Sequence, residues 1–168
     1  WNQTEQTFAH PQPFHELFAA QSARTPDSIA VICVADRLSY RELDRRSNQL
    51  AHYLLRRGIG PETVVGLCVE RCAEMVVGLL GIAKAGGAYL PLDPALPTER
   101  LRFMIADSGA AVVVTQEATR ERLAGALSLI CVDSDRQEID LENAAAPASS
   151  VTAQNLVYVI YPSGSTGM

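Results

Sequence analysis

The sequence predicts an α/β fold, with a largely parallel sheet flanked by helices on both faces. Two observations carry this. Segments that read as strands alternate with segments that read as helices, and the strands are continuous apolar runs rather than in-out alternations. Strands buried on both faces have that pattern, whereas sheets with one wet face alternate. A length of 168 residues, 48% of them hydrophobic, suits one such domain or a large piece of a bigger one.

The first dozen residues are polar, with Pro11 and Pro13, as in a linker, so residues 1–13 are set apart from 14–168. "FHELFAAQSART" reads as a helix stopped by Pro26. "SIAVICVADRLSY" reads as two short strands around a turn at Ala35-Asp36-Arg37. "LSYRELDRRSNQLAHYLLRRG" is the best-specified helix. Ser39 and Glu42 have capping-box spacing, and Leu43, Ser47, Leu50 and Leu54 make one inward stripe. Arg56 and Arg57 suit the negative helix end, and Gly58 suits a left-handed stop.

"ETVVGLCVE" is a doubly buried strand, and "CAEMVVGLLGIAKAGG" a helix apolar nearly all round. "AYLPLD" is the next strand. Thr98 is expected to cap "ERLRFMIADSG", with Leu101, Met104 and Ile105 inward and Gly109 at the end. "AAVVVT" and "SLICVD" are strands on either side of a short helical piece, "TRERLAGAL". "LENAAAPASSVTAQ" is loop, and "NLVYVIY" is the last strand.

Bulk properties exclude several function classes. The net charge is −5, and no Lys/Arg cluster could track a phosphate backbone, so nucleic acid is not expected as a partner. No apolar run reaches the roughly 18–20 residues of a membrane span, and "WNQTEQTFAHPQPF" is not a secretory signal. Cys33, Cys68, Cys72 and Cys131 have no second pair or nearby His to complete a zinc site. They read as buried free thiols of a reduced, cytoplasmic protein.

The last strand empties into "PSGSTG". In open parallel sheets, ligands sit beyond the carboxyl ends of the strands. Gly164 and Gly167 permit unusual backbone angles, and successive amides there can form an anion-binding nest. Ser163, Ser165 and Thr166 add hydroxyl donors, so a polyphosphate is the natural guest, against the plainer reading of an ordinary Ser/Gly connection. It is not a Walker loop, since no Gly-Lys pair exists, nor a G-x-G-x-x-G fingerprint, nor a G-x-S-x-G nucleophile elbow.

These residues resemble a known family. "YPSGSTG" resembles the phosphate-loop signature of adenylate-forming enzymes, the superfamily of acyl-CoA synthetases, luciferases and peptide-synthetase adenylation domains. "LSYRELDRRSNQLAHYL" and "IAKAGGAYLPLDPALPTERL" resemble the first two core motifs of nonribosomal peptide synthetase adenylation domains. The opening "WNQT", with "FHELFAAQSARTPDSIAV", resembles a condensation–adenylation junction.

The resemblance implies the first layer of the N-terminal domain of such an enzyme. It implies activation of an amino acid with ATP and Mg²⁺ to an aminoacyl-adenylate and pyrophosphate, then transfer to the phosphopantetheine thiol of a carrier domain. Ser163, Gly164, Ser165, Thr166 and Gly167 would wrap the β- and γ-phosphates, with no catalytic or metal-binding residue assigned in this stretch. A neighbouring condensation domain is an implied partner, and room is left for an MbtH-type helper protein. Lys84 reads as a solvated lysine near a helix end, Asp93 as a turn former, and His10, His15 and His52 as residues without a partner.

Two departures are visible. Pro162 stands where the family usually has Thr, removing one amide and one hydroxyl from the lip of the loop. The family also continues from the loop into Pro-Lys-Gly, whereas Met168 is the last residue here. The expectation is therefore an N-terminal portion that is inactive alone, with an exposed apolar face and an unpaired sheet edge. The alternatives are a non-catalytic docking or folding fragment completed by another chain, or a fragment of another acyl-activating ligase.

Overall fold

In the computed structural model the described residues are 12–34, 36–110, 112–123 and 128–162. Helix α1 (Phe14–Arg24) leads into an antiparallel hairpin, β1 (Ile29–Cys33) and β2 (Asp36–Ser39). Then follow α2 (Tyr40–Leu55), β3 (Val64–Cys68), α3 (Ala73–Lys84), β4 (Ala88–Pro91), α4 (Thr98–Ser108), β5 (Val112–Thr115), a 3-10 helix (Glu117–Leu123), β6 (Leu129–Cys131) and α5 (Arg136–Asp140). Strands β3 to β6 form one parallel sheet in the order β4-β3-β5-β6.

The sheet is covered on both sides because its strands are apolar on both sides. Val112 and Val114 of β5 face the layer of α2 and α3, where Leu50, Leu54, Val77 and Leu80 meet Val65 and Leu67. Val113 points the other way, to Leu101, Met104 and Ile105 of α4 and to Leu123. All four residues of β5 are buried.

The stripe Leu43, Ser47, Leu50 and Leu54 is inward as predicted, each no more than 2% exposed. Helix α3 lies close against both neighbours because it is small there. A Cβ on Gly81 would stand 2.7 Å from Leu50 Cδ2, and one on Gly78 would stand 2.6 Å from Leu67 Cδ1.

Three local expectations need correction. The Ser39 hydroxyl accepts from the Glu42 amide at 3.2 Å, but the Glu42 carboxylate does not close the reciprocal half of the capping box. It pairs instead with Arg45, three residues on, at 2.8 and 2.9 Å. Thr98 is the first residue inside α4 rather than its cap; Pro97 holds the cap position, and no side chain caps the helix.

The third correction concerns "NLVYVIY". It runs parallel to β4 but makes a single bridge, Tyr89 with Tyr158, and not a strand. The Tyr89 amide donates to the Val157 carbonyl, and the Val159 amide donates to the Tyr89 carbonyl, both at 3.0 Å. The next donor on that side of β4 would be residue 91. It is Pro91, which has no N–H, so the ladder stops after one step.

Candidate functional site

The carboxyl ends of β3, β4 and β5 open on the same side of the sheet, and the segment 155–162 runs parallel to them toward that side. The phosphate-loop candidates Ser163, Gly164, Ser165, Thr166 and Gly167 lie outside the described residues. The structure does describe how the chain is held up to Pro162, which is exposed.

Three anchors hold that lead-in. At its start, Glu62 Oε1 accepts from Asn155 Nδ2 at 2.8 Å and from the Leu156 amide at 3.2 Å. Glu62 itself sits at φ 65°, the left-handed region that costs a side-chain-bearing residue roughly 1–2 kcal/mol. In the middle is the Tyr89 bridge, with the Tyr89 and Tyr158 rings 5.9 Å apart.

At its end, Tyr161 lies on α4. The hydroxyl donates to Asp107 Oδ2 at 2.6 Å, and the ring meets Phe103 edge-on. Burial first, then the Asp107 carboxylate, pushes the Tyr161 phenol up to about 12. Both influences disfavour the charged phenolate.

The loop that precedes this segment is gripped by α2. Asn48 Nδ2 donates to the Ala144 carbonyl at 2.9 Å and Gln49 Nε2 to the Asp140 carbonyl at 2.6 Å. His52 Nε2 pairs with the Ala145 carbonyl at 3.1 Å, so His52 does have a partner. His15 is buried, and its Nε2 has no hydrogen-bond partner among the described residues; His10 lies outside them.

Lys84 is the largest correction. It is not solvated: it is 4% exposed, and its ammonium donates to Asp44 Oδ1, Ser47 Oγ and Asn48 Oδ1, each at 2.7 Å. Burial pulls its pKa down, while Asp44 opposes that shift. A buried ammonium persists only when its donors are met, and here three acceptors on α2 meet them. Lys84 therefore ties α3 to the helix that grips the loop ahead of the lead-in, and it is unavailable to a phosphate.

Asp93 behaves as predicted. Its carboxylate accepts from the Ala95 amide at 2.8 Å in a turn. The four cysteines are free thiols; Cys68 and Cys131, on the covered four-stranded sheet, are buried as expected, but Cys33 of the separate β1–β2 hairpin and Cys72 ahead of α3 are only half-buried. No group of three or more His, Cys, Asp or Glu that could hold a metal occurs among the described residues. No helix among them is long and apolar enough to cross a membrane.

A groove of about 510 Å³ opens at the ends of β3 and β4, lined by Val69, Glu70, Arg71, Tyr89, Pro91 and Asp93 among others. The outer side of the lead-in is apolar and uncovered, with Leu156, Val157, Tyr158 and Ile160 all exposed, as expected of an open sheet edge.

Nothing in the sequence singles out Tyr161, Asp107, Glu62 or Asn155, since each acts through a contact 54 or more positions away. A hint existed for α2. Ser47 on its inward stripe, followed by Asn48 and Gln49, announces buried polar groups in need of partners.

Comparison with known proteins gives a consistent picture. The profile of the family described as AMP-binding enzyme matches residues 18–168. The chain is 51% identical over 168 residues to a linear gramicidin synthase of Brevibacillus parabrevis, covering 99% of this chain and 2% of that protein. The crystal structure of the nonribosomal peptide synthetase FmoA3, bound to AMPPNP, superimposes with a TM-score of 0.88 at 33% identity, covering 96% of this chain and 17% of that one. A Mycobacterium tuberculosis fatty acyl CoA synthetase superimposes at 0.81 with 20% identity, over 90% of this chain and 32% of that one, which shows a shared fold. The chain thus spans a small part of the length of its relatives.

Proposed function

The chain belongs to the AMP-binding enzyme family, and from that premise we propose that it is the N-terminal part of an amino-acid-activating adenylation domain of a nonribosomal peptide synthetase. In this reading the complete enzyme joins an amino acid to ATP, giving an aminoacyl-adenylate and pyrophosphate. It then passes the aminoacyl group to the phosphopantetheine thiol of a carrier domain. Residues 1–13 form the linker from a condensation domain, residues 14–168 carry the adenylation fold as far as the phosphate loop, and an MbtH-type helper is a candidate partner.

One observation carries the reading. The stretch "PSGSTG" follows a segment pinned parallel to β4, on the side of the sheet where strand ends gather ligands. The donor set fits a polyphosphate, since residues 163–167 offer hydroxyls and main-chain amides and no carboxylate. Ser163, Ser165 and Thr166 would donate hydroxyl hydrogens, and Gly164 and Gly167 main-chain amides, to the β- and γ-phosphate oxygens.

Bound ATP supplies the electrophilic phosphorus that a carboxylate attacks. The contribution of these residues is to fix and stabilise the leaving pyrophosphate, which is positioning and electrostatics. All five donor residues are neutral, so the counter-charge, including Mg²⁺, comes from outside this stretch. Alone, the chain is expected to be inactive.

A chimera tests this. Residues 1–168 replace the matching stretch of an adenylation domain in the B. parabrevis linear gramicidin synthase, and amino-acid-dependent ATP–pyrophosphate exchange is measured. Exchange is expected in the chimera and not in the isolated chain. Thr166→Val should cut exchange by about 10²-fold, as loss of one transition-state donor does elsewhere. A soluble, folded chimera with no exchange, or one indifferent to changes at Ser165 and Thr166, would overturn the reading.

A further inference from the structure

We propose that Cys33 and Cys72 form an oxidisable dithiol, closing to a disulfide that staples the β1–β2 hairpin to the start of α3. Cys33 is the last residue of β1, and its thiol donates to the carbonyl oxygen of Arg71 at 3.3 Å. Arg71 is joined covalently to Cys72, the residue that caps α3. Across a trans peptide a carbonyl oxygen lies about 2.8 Å from the next Cα, so Cys33 Sγ is within about 6 Å of Cys72 Cα. Disulfides join residues whose Cα atoms are about 4.4–6.8 Å apart, whereas the path from Cys33 Cα through Sγ and the Arg71 carbonyl allows up to about 9 Å to Cys72 Cα, so closure takes side-chain rotation and a shift of the hairpin toward α3 of up to roughly 2 Å.

Both partners can make that adjustment. Strands β1 and β2 pair only with each other, so the hairpin can shift without breaking the four-stranded sheet. Cys72 has extended backbone (φ −143°, ψ −177°), and its side chain makes no cap hydrogen bond. Its sulfur has a long contact, 4.0 Å, from Gln116 Nε2 and lies beside the Glu74 carboxylate and the Met75 and Glu74 amides, contacts that closure exchanges for the bond to Cys33. Both residues are half-buried, whereas Cys68 and Cys131 are sealed in the core.

The chemistry balances with a disulfide oxidant of the glutathione type. One thiolate of the pair attacks the oxidant, forming a mixed disulfide and releasing one glutathione. The second thiolate then attacks the protein sulfur and releases the other glutathione. Two protein thiols lose two electrons and two protons, and two glutathione thiols take them up. The closed loop holds β2, α2 and β3, so the link restrains the unfolded chain over about 40 residues.

The test is treatment of the folded chain with glutathione disulfide, digestion without reduction, and mass spectrometry. A peptide pair linking Cys33 to Cys72 is expected, lost in Cys33→Ser and in Cys72→Ser, with a higher unfolding midpoint for the oxidised protein than for the reduced one. Persistent glutathione adducts at Cys33 or Cys72 without the cross-link would overturn the proposal. So would links from the folded chain to Cys68 or Cys131. Should either serine variant fail to fold, the cross-link map of the wild-type chain decides by itself.

Discussion

Lys84 Nζ stands 2.7 Å from Asp44 Oδ1, and this ion pair, buried at the lysine and partly exposed at the aspartate, ties the end of α3 to the second turn of α2. The same ammonium holds Ser47 and Asn48, and Asn48 in turn holds the Ala144 carbonyl. Breaking one member strands the rest. Lys84→Met keeps the stem and removes the charge, leaving Asp44, Ser47 and Asn48 short of a donor. The expected loss is about 3 kcal/mol in urea unfolding, with Lys84→Arg also destabilised for lack of room. A loss under about 0.5 kcal/mol for Lys84→Met would show that the pair is not a structural tie.

Cys68 gives a pH dependence of defined sign. Burial pushes its thiol from the usual 9.0 up to about 11. The folded state therefore keeps a proton that the unfolded chain gives up between those values. The stability from this group is complete below about pH 9 and is lost as pH rises through about 11. The stability difference between wild type and Cys68→Ala should accordingly shrink by on the order of 2 kcal/mol from pH 8 to 11. Parallel urea titrations of the two proteins check it, and a difference that is flat in pH contradicts it.

Tyr161 is the last anchor before the loop candidates, and its hydroxyl gives to Asp107 at 2.6 Å. Tyr161→Phe should cost about 1 kcal/mol in unfolding free energy. Asp107→Ala should cost a similar amount, and the double variant no more than either, because both remove one bond. Additive costs in the double-mutant cycle would show that the two side chains act separately.

Gly81 is the packing point between α2 and α3. Its missing Cβ would meet not only Leu50 Cδ2 but also Cγ at 2.9 Å and Cβ at 3.0 Å, atoms near the backbone that cannot swing away. Gly81→Val is expected to destabilise by about 2 kcal/mol through overpacking. A neutral result by thermal or urea unfolding would mean that the two helices separate more readily than their packing implies.

Much of this architecture was written in short-range pattern. Leu43, Ser47, Leu50 and Leu54 face inward because helical spacing leaves them no other face to share. The unbroken valine run of β5 needs cover on two sides and receives it. Gly109 ends α4 at φ 66°, as a left-handed stop should. In the candidate site, the turn at Asp93 was legible because a short acidic side chain before proline advertises its local geometry.

Other features depended on what each residue met across the fold. Position near a helix end marked Lys84 for solvent, yet Asp44, Ser47 and Asn48 from the neighbouring helix took it inside. The apolar "NLVYVIY" had the composition of a strand, but a strand exists only where a neighbour supplies donors, and Pro91 withholds one. Sequence by itself determined the order of elements from α1 to β6 and their buried faces, since these follow from spacing of one to four residues and from side-chain type. Tertiary structure alone decided which polar groups were buried and satisfied, and how Glu62, Tyr89 and Tyr161 hold the lead-in, because a hydrogen bond needs two partners and theirs lie far apart along the chain.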